Sequence, residues 1–218
     1  MNEFQLQELL TPRWLADGIQ LGDERLMLVA WEVMLPSWDI NDSTKRWNEP
    51  SIDFLGLDES GRLAAIELKM VVPGRKPAWA VLCQLTHRAV GLSRSFTPDL
   101  LAGAYAACRG GGHGRGVGQE SLAGSLPELA QEFFEHDSPV PIDGQPMRRI
   151  VAATEFGPQF CGIHSEFNVT PITAVLDRLA AEYPTGKGQA AREFQRVRRL
   201  SPSENELVSP VEVLVVAA

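Results

Sequence analysis

Hydrophobic positions change period several times along the chain. Phe4, Leu6, Leu9, Leu10 and Leu15 recur at roughly helical spacing, with Glu3, Gln7 and Glu8 between them. The spacing predicts a helix over 3–16, made less regular by Pro12. Residues 26–35 (LMLVAWEVML) are rich in strand formers. Residues 36–50 hold Pro36, Asn41, Asp42, Asn48 and Pro50, which is loop chemistry. Strands are predicted over 52–58 and 62–71, around Glu59-Ser60-Gly61. A helix follows over 77–95, with Ala78, Val81, Leu82, Leu85, Ala89 and Leu92 on one face and Pro77 in its first turn.

Beyond residue 95 the pattern is less regular. Helices are predicted over 99–108, 126–134, 171–183 and 189–200, and strands over 149–156 and 211–216. Arg109–Gly118 (RGGGHGRGVG) has six glycines in ten residues and is read as loop. The order is α-β-β-β-α, a helical insertion, then β and more α. That order predicts a mixed α/β fold, a hairpin-built sheet flanked by helices.

Composition narrows the class. A length of 218 residues suits one domain with a real core. No apolar run approaches the roughly 20 residues needed to cross a bilayer. Three cysteines, Cys83, Cys108 and Cys161, make no disulfide framework. A soluble cytoplasmic protein with no membrane partner is expected. Cys161 and His164 lack a second pair at zinc spacing, so no zinc site is expected. No GxSxG elbow is present, and nothing else suggests a serine or cysteine hydrolase.

The chemistry concentrates in Ser51–Met70 (SIDFLGLDESGRLAAIELKM). Asp58-Glu59-Ser60-Gly61-Arg62 fits a three-residue hairpin loop with Gly61 at the left-handed position. Asp58 then faces Arg62, and opposed positions sum to 120. That register sets Asp53 across from Glu67, with Cβ atoms about 5 Å apart. Lys69 shares their face one step further along, and Leu63 and Ala65 continue it towards the turn. Facing carboxylates destabilise a sheet unless a cation compensates them. Oxygen donors of this kind suit Mg²⁺ or Mn²⁺. Such a metal polarises a phosphoryl oxygen and lowers the pKa of a bound water, while Lys69 orients that water or stabilises charge on the phosphate. The chain has 16 arginines and four lysines, so a lysine here is informative. The competing reading is a surface ion pair on exposed strands.

Asp53, thirteen residues, then Glu67-Leu68-Lys69 resembles the PD-(D/E)xK nuclease superfamily, with its restriction-endonuclease-like fold. The stretch IDFLGLDESGRLAAIELK is most similar to the branch of RecB-like and mismatch- or branch-cleaving nucleases. The resemblance covers residues 3–95 and the strand at 149–156. It implies an αβββαβ core and Mg²⁺ dependence. Asp53 and Glu67 would be metal ligands, the Leu68 carbonyl a further one, and Lys69 the catalytic lysine. Ile52, not proline, precedes Asp53. Gln84 resembles the glutamine after ExK in RecB-like members, where it would touch the attacking water or a phosphate. The alternative is a helix residue facing solvent. Glu8 resembles the acid that the first helix contributes to the metal site. Glu32 is its rival, because a charge inside an apolar strand needs a reason to be there.

Two basic segments matter for nucleic acid. Backbone amides of the Gly-rich loop, with Arg109, His113 and Arg115, could cradle phosphate, although a mobile surface loop is the competing reading. Lys187, Arg192, Arg196 and Arg199 form the candidate backbone-contacting surface. The three arginines line one helix face, while Phe194, Val197 and Leu200 face inward. A solvated face is the alternative. His87, one turn after Gln84, is read as a surface histidine.

The expectation is one nuclease-like domain over 1–218, with its core at 3–95 and 148–218 and a helical, Gly-rich insertion at 96–147. The expected activity is metal-dependent DNA hydrolysis in repair, recombination or defence, in a monomer or homodimer. The alternatives are a silent binding module or a nuclease acting on RNA. A net charge of −8 does not oppose this. Residues 1–60 hold twelve acids and four bases, and the remainder sixteen of each, so the excess lies on the metal-site half.

Overall fold

The computed structural model describes residues 1–33, 52–95, 98–109, 125–183, 188–198, 200 and 208–217. Thirteen elements follow in order: α1 (Glu3–Asp17), β1 (Ile19–Leu21), β2 (Glu24–Val33), β3 (Ile52–Leu57), β4 (Arg62–Val72), α2 (Arg75–Ser95), α3 (Pro98–Arg109), α4 (Leu126–Phe134), β5 (Asp143–Phe156), α5 (Phe160–Val169), α6 (Ile172–Glu182), α7 (Gln189–Arg198) and β6 (Val208–Val215). The strands form one six-stranded mixed sheet in the order β1-β2-β3-β4-β5-β6. β1 to β4 are an antiparallel meander, and β5 and β6 run parallel to β4. The protein is therefore α/β, with a mixed sheet flanked by helices.

Each sheet face has its own core. Ala64, Ile66 and Leu68 of β4 meet Leu6, Leu10 and Trp14 of α1. Leu63 and Ala65 face the other way, onto Ala78, Leu82 and Leu85 of α2. This alternation is the period-2 pattern of a strand buried on both faces. Asn2 caps α1 through the Gln5 amide, and Gln5 answers with its side chain. The Trp14 ring packs edge-on against Phe54 at 4.6 Å.

The β3–β4 turn has the expected register. Leu57 pairs with Leu63 and Phe54 with Ile66. Gly61 has φ +86°, and a Cβ there would lie 1.7 Å from the Pro141 carbonyl oxygen. The position therefore needs glycine twice over, for its conformation and for the close approach. Asp58 ties the turn by accepting from the backbone N–H of Ser60 at 3.0 Å and of Arg62 at 2.9 Å.

Several boundaries differ from expectation. β1 and α5 were not foreseen. β1 has only three residues, and α5 carries Gly162 and a β-branched end that dilute its helical signal. β5 begins at Asp143, so the expected insertion gives up its last five residues to the sheet. The rest of it holds α3 and α4. Leu101, Ala104 and Tyr105 of α3 belong to the same core as α2, so this segment is part of the main packing. The loop expected over 36–50 and the glycines of the Gly-rich segment lie outside the described residues. No described helix is long and apolar enough to cross a membrane.

Candidate active site

The sheet splits where the two acids meet. The β3–β4 ladder ends at Phe54–Ile66, yet β4 stays paired with β5 as far as Val72–Phe156. Among the described residues, β4 beyond Ile66 has no strand partner on the β3 side. Asp53 fills that gap, and its Oδ2 accepts the Leu68 backbone N–H at 2.7 Å. A carboxylate thus replaces the carbonyl that a continued ladder would supply. Glu67, the residue the register sets opposite Asp53, is 1% exposed, and Asp53 is 8% exposed.

Glu67 is held at both oxygens. Oε1 accepts from Gln84 Nε2 and pairs with Lys69 Nζ, each at 2.8 Å. Oε2 accepts from Arg88 Nη1 in a short contact. Gln84 is buried, not solvent-facing, and is 4% exposed. Gln84 and Arg88 are four residues apart on α2, so one helix face delivers both to the strand. Arg88 was not foreseen, although its spacing from Gln84 carries the signal. Lys69 Nζ also pairs with Glu3 Oε2 at 3.1 Å.

The charges interlock. Burial first, and then the neighbouring Glu67 charge, push the Asp53 carboxyl well above the usual carboxylate range. Burial also pushes Glu67 up, but the Arg88 and Lys69 charges outweigh it and hold that carboxyl low. Burial lowers the Lys69 ammonium, yet Glu67, Asp53 and Glu3 together raise it above its ordinary value. The neighbouring charges therefore make Asp53 the harder of the two acids to ionise and favour the charged forms of Glu67 and Lys69.

Two candidate acids take unexpected places. Glu8 is exposed, and the α1 acid that reaches the cluster is Glu3. Five residues along a helix turn the side chain about 140° round the axis, so the two cannot share a face. Glu32 is buried and sits in β2 between Trp31, paired with Phe54, and Val33, paired with Ile52. That register sets it opposite Asp53 on the other side of β3. Its φ of +51° is left-handed, a costly conformation for glutamate. Among the described residues no three acidic, histidine or cysteine side chains converge in a way that could hold a metal ion. The carboxylates available to a cation are Asp53 and Glu67, with main-chain oxygen such as that of Leu68.

The basic helix is more mixed than expected. Arg192 is exposed, while Arg196 is partly buried and pairs with Glu193 at 2.9 Å. Lys187 and Arg199 lie outside the described residues. Val197 faces the core as expected, with Phe194 and Leu200 packed against it. Glu193 is buried beside them, four residues before Val197 on the inward stripe. His87 is half-buried on α2. His164 is engaged with the Val211 carbonyl at 2.6 Å, and Cys161 is exposed.

A cleft of about 220 Å³ opens beside Lys69 and Gln84, walled by Val72, Pro77, Val81 and Ala190. It gives solvent and ligands a way to Lys69. Comparison with protein-family models, curated proteins and solved structures finds no match to this chain.

Proposed function

We propose that this protein is a metal-dependent nuclease of the PD-(D/E)xK type that hydrolyses DNA phosphodiester bonds. The observation that carries the reading is the placement of Asp53 and Glu67 in facing register at the split between β3 and β4. Lys69 stands on the same face, paired with Glu67 at 2.8 Å. In this reading α1, β2, β3, β4, α2 and β5 are the restriction-endonuclease-like core, with β1 and β6 added at the sheet edges.

The donor set fits a hard divalent cation. Two buried carboxylates side by side call for a compensating cation, and burial first, with the Glu67 charge second, raises Asp53. Asp53, Glu67 and the Leu68 carbonyl would hold Mg²⁺ or Mn²⁺ through oxygen. The bound cation would supply Lewis-acid polarisation of the phosphoryl group and a more acidic water. Glu67, Asp53 and Glu3 raise the Lys69 ammonium above its ordinary value. Its part is to attract the phosphate and stabilise the charge that develops on it. Gln84 fixes the rotamer of Glu67. Arg192 adds a phosphate contact. We assign the activity to the cytoplasm, in repair, recombination or defence, with two copies acting together where both strands are cut.

The test is a cleavage panel of duplex, single-stranded, branched and mismatched DNA, and RNA, with Mg²⁺ and with Mn²⁺. Cleavage of DNA that disappears in Lys69→Ala supports the reading. Equal cleavage by wild type and Lys69→Ala overturns the mechanism, and cleavage of RNA alone reassigns the substrate. A second reading, a binding module without catalysis, is favoured by the Arg88–Glu67 ion pair, which neutralises Glu67 without a metal. Absence of any Mn²⁺ binding in calorimetry selects that reading.

A further inference from the structure

Two buried polar atoms on packed helices lack partners. Arg88 Nε, on α2, and Glu193 Oε2, on α7, have no hydrogen-bond partner among the described residues. Arg88 is 6% and Glu193 3% exposed, so water does not readily serve either. α2 and α7 pack against each other, and the Arg88 charge acts on Glu193. One atom is a donor and the other an acceptor. Leaving both unmet in the interior is costly, and such a pair marks a contact that a second arrangement would make.

The same guanidinium is engaged elsewhere. Its Nη1 donates to Glu67 Oε2, while Gln84 and Lys69 hold Glu67 Oε1. In this arrangement both oxygens of Glu67 are already engaged by protein groups. Glu193 is half-engaged in the complementary sense, with Oε1 taken by Arg196 at 2.9 Å and Oε2 unmet.

We propose that Arg88 has two seats, one on Glu67 when the site holds no cation and one on Glu193 when a divalent cation takes Glu67. The proposal rests on the metal-site reading given above. Removing one member of a buried ion pair strands the other charge, so a site that alternates between empty and loaded needs a substitute counter-ion. Arg88 supplies it to Glu67 in the empty state. On loading, Glu193 receives the guanidinium, and no buried charge is left alone in either state. Glu193 is thereby a positioning residue: it acts on the metal site only through Arg88.

The test is calorimetric titration of Mn²⁺ into wild type, Glu193→Gln, Arg88→Met and the double variant, each first shown to be folded by circular dichroism. Glu193→Gln should bind Mn²⁺ about fivefold or more weakly, because Arg88 loses its second seat. Arg88→Met should bind about fivefold or more tightly, because nothing competes for Glu67. The double variant should match Arg88→Met, since Glu193 has no route to the site without Arg88. Wild-type affinity in Glu193→Gln, or the same weakening with and without Arg88, overturns the proposal while leaving the metal site standing. No binding by any of the four overturns the metal reading and this proposal with it. Should Arg88→Met fail to fold, the Arg88 Nε–H resonance decides. It should gain protection from exchange when Mg²⁺ is added to wild type and not to Glu193→Gln, and an unchanged wild-type resonance overturns the exchange.

Discussion

The Asp53 carboxylate accepts the Leu68 backbone N–H at 2.7 Å, closing the ladder where β3 and β4 part. One side chain therefore has a structural bond and a chemical assignment. Asparagine keeps the acceptor and removes the charge, so Asp53→Asn separates the two. Wild-type Asp53 has a raised pKa, so its ionisation costs stability. The cost starts as pH rises through the unfolded value near 4 and is complete above the folded value. Urea denaturation without metal should show Asp53→Asn equal to wild type at pH 3.5 and more stable at pH 8. Adding Mn²⁺ should narrow that gap. Cleavage should fall by about 10²-fold or more.

Lys69 is held between Glu67 and Glu3. Lys69→Ala should lower cleavage by about 10³-fold while leaving Glu67 paired with Arg88. Glu3→Gln leaves two of the three acids around Lys69 and should change the rate by less than about tenfold. Glu8→Gln should have a smaller effect than Glu3→Gln. Because its neighbours raise Lys69, its deprotonation should not limit the rate below about pH 10 in a pH–rate profile.

Gly61 sets the register that brings Asp53 and Glu67 together. Gly61→Ala combines a left-handed φ with a backbone collision, and should cost on the order of 3 kcal/mol or more. Thermal denaturation would measure it, and a cost below about 1 kcal/mol would show that the turn adapts.

Arg192 and Arg196 should behave differently although both lie on α7. Arg192 is exposed, and Arg192→Ala should weaken DNA binding evenly across sequences and lower the salt slope by about one. Arg196 serves the buried Glu193, so Arg196→Ala should appear mainly as lost stability. Fluorescence anisotropy over a salt series, beside a urea curve, separates the two effects.

Local patterns carried much of this. Alternation along β4, the Asp58–Arg62 turn and the 3.6-residue spacing of α2 were legible because each depends on near neighbours in the chain. Asp53, Glu67 and Lys69 could be placed together from the turn register, whereas Gln84 joined them only through the family resemblance. β1 and α5 were harder, since three residues give no period and mixed propensities are settled by packing.

The sequence by itself determined the α/β class, the β3–β4 hairpin and the grouping of two acids and a lysine on one face of that hairpin. Short-range geometry dictates these, with glycine at 61 and alternation doing the placing. Only the tertiary structure decided which distant groups answer those charges. α1 offers Glu3 and not Glu8, α2 adds Arg88, and α7 buries Glu193. Those choices follow from helix rotation and docking, which depend on the whole core. A charge buried by that docking then takes whichever partner the packed helices bring within reach.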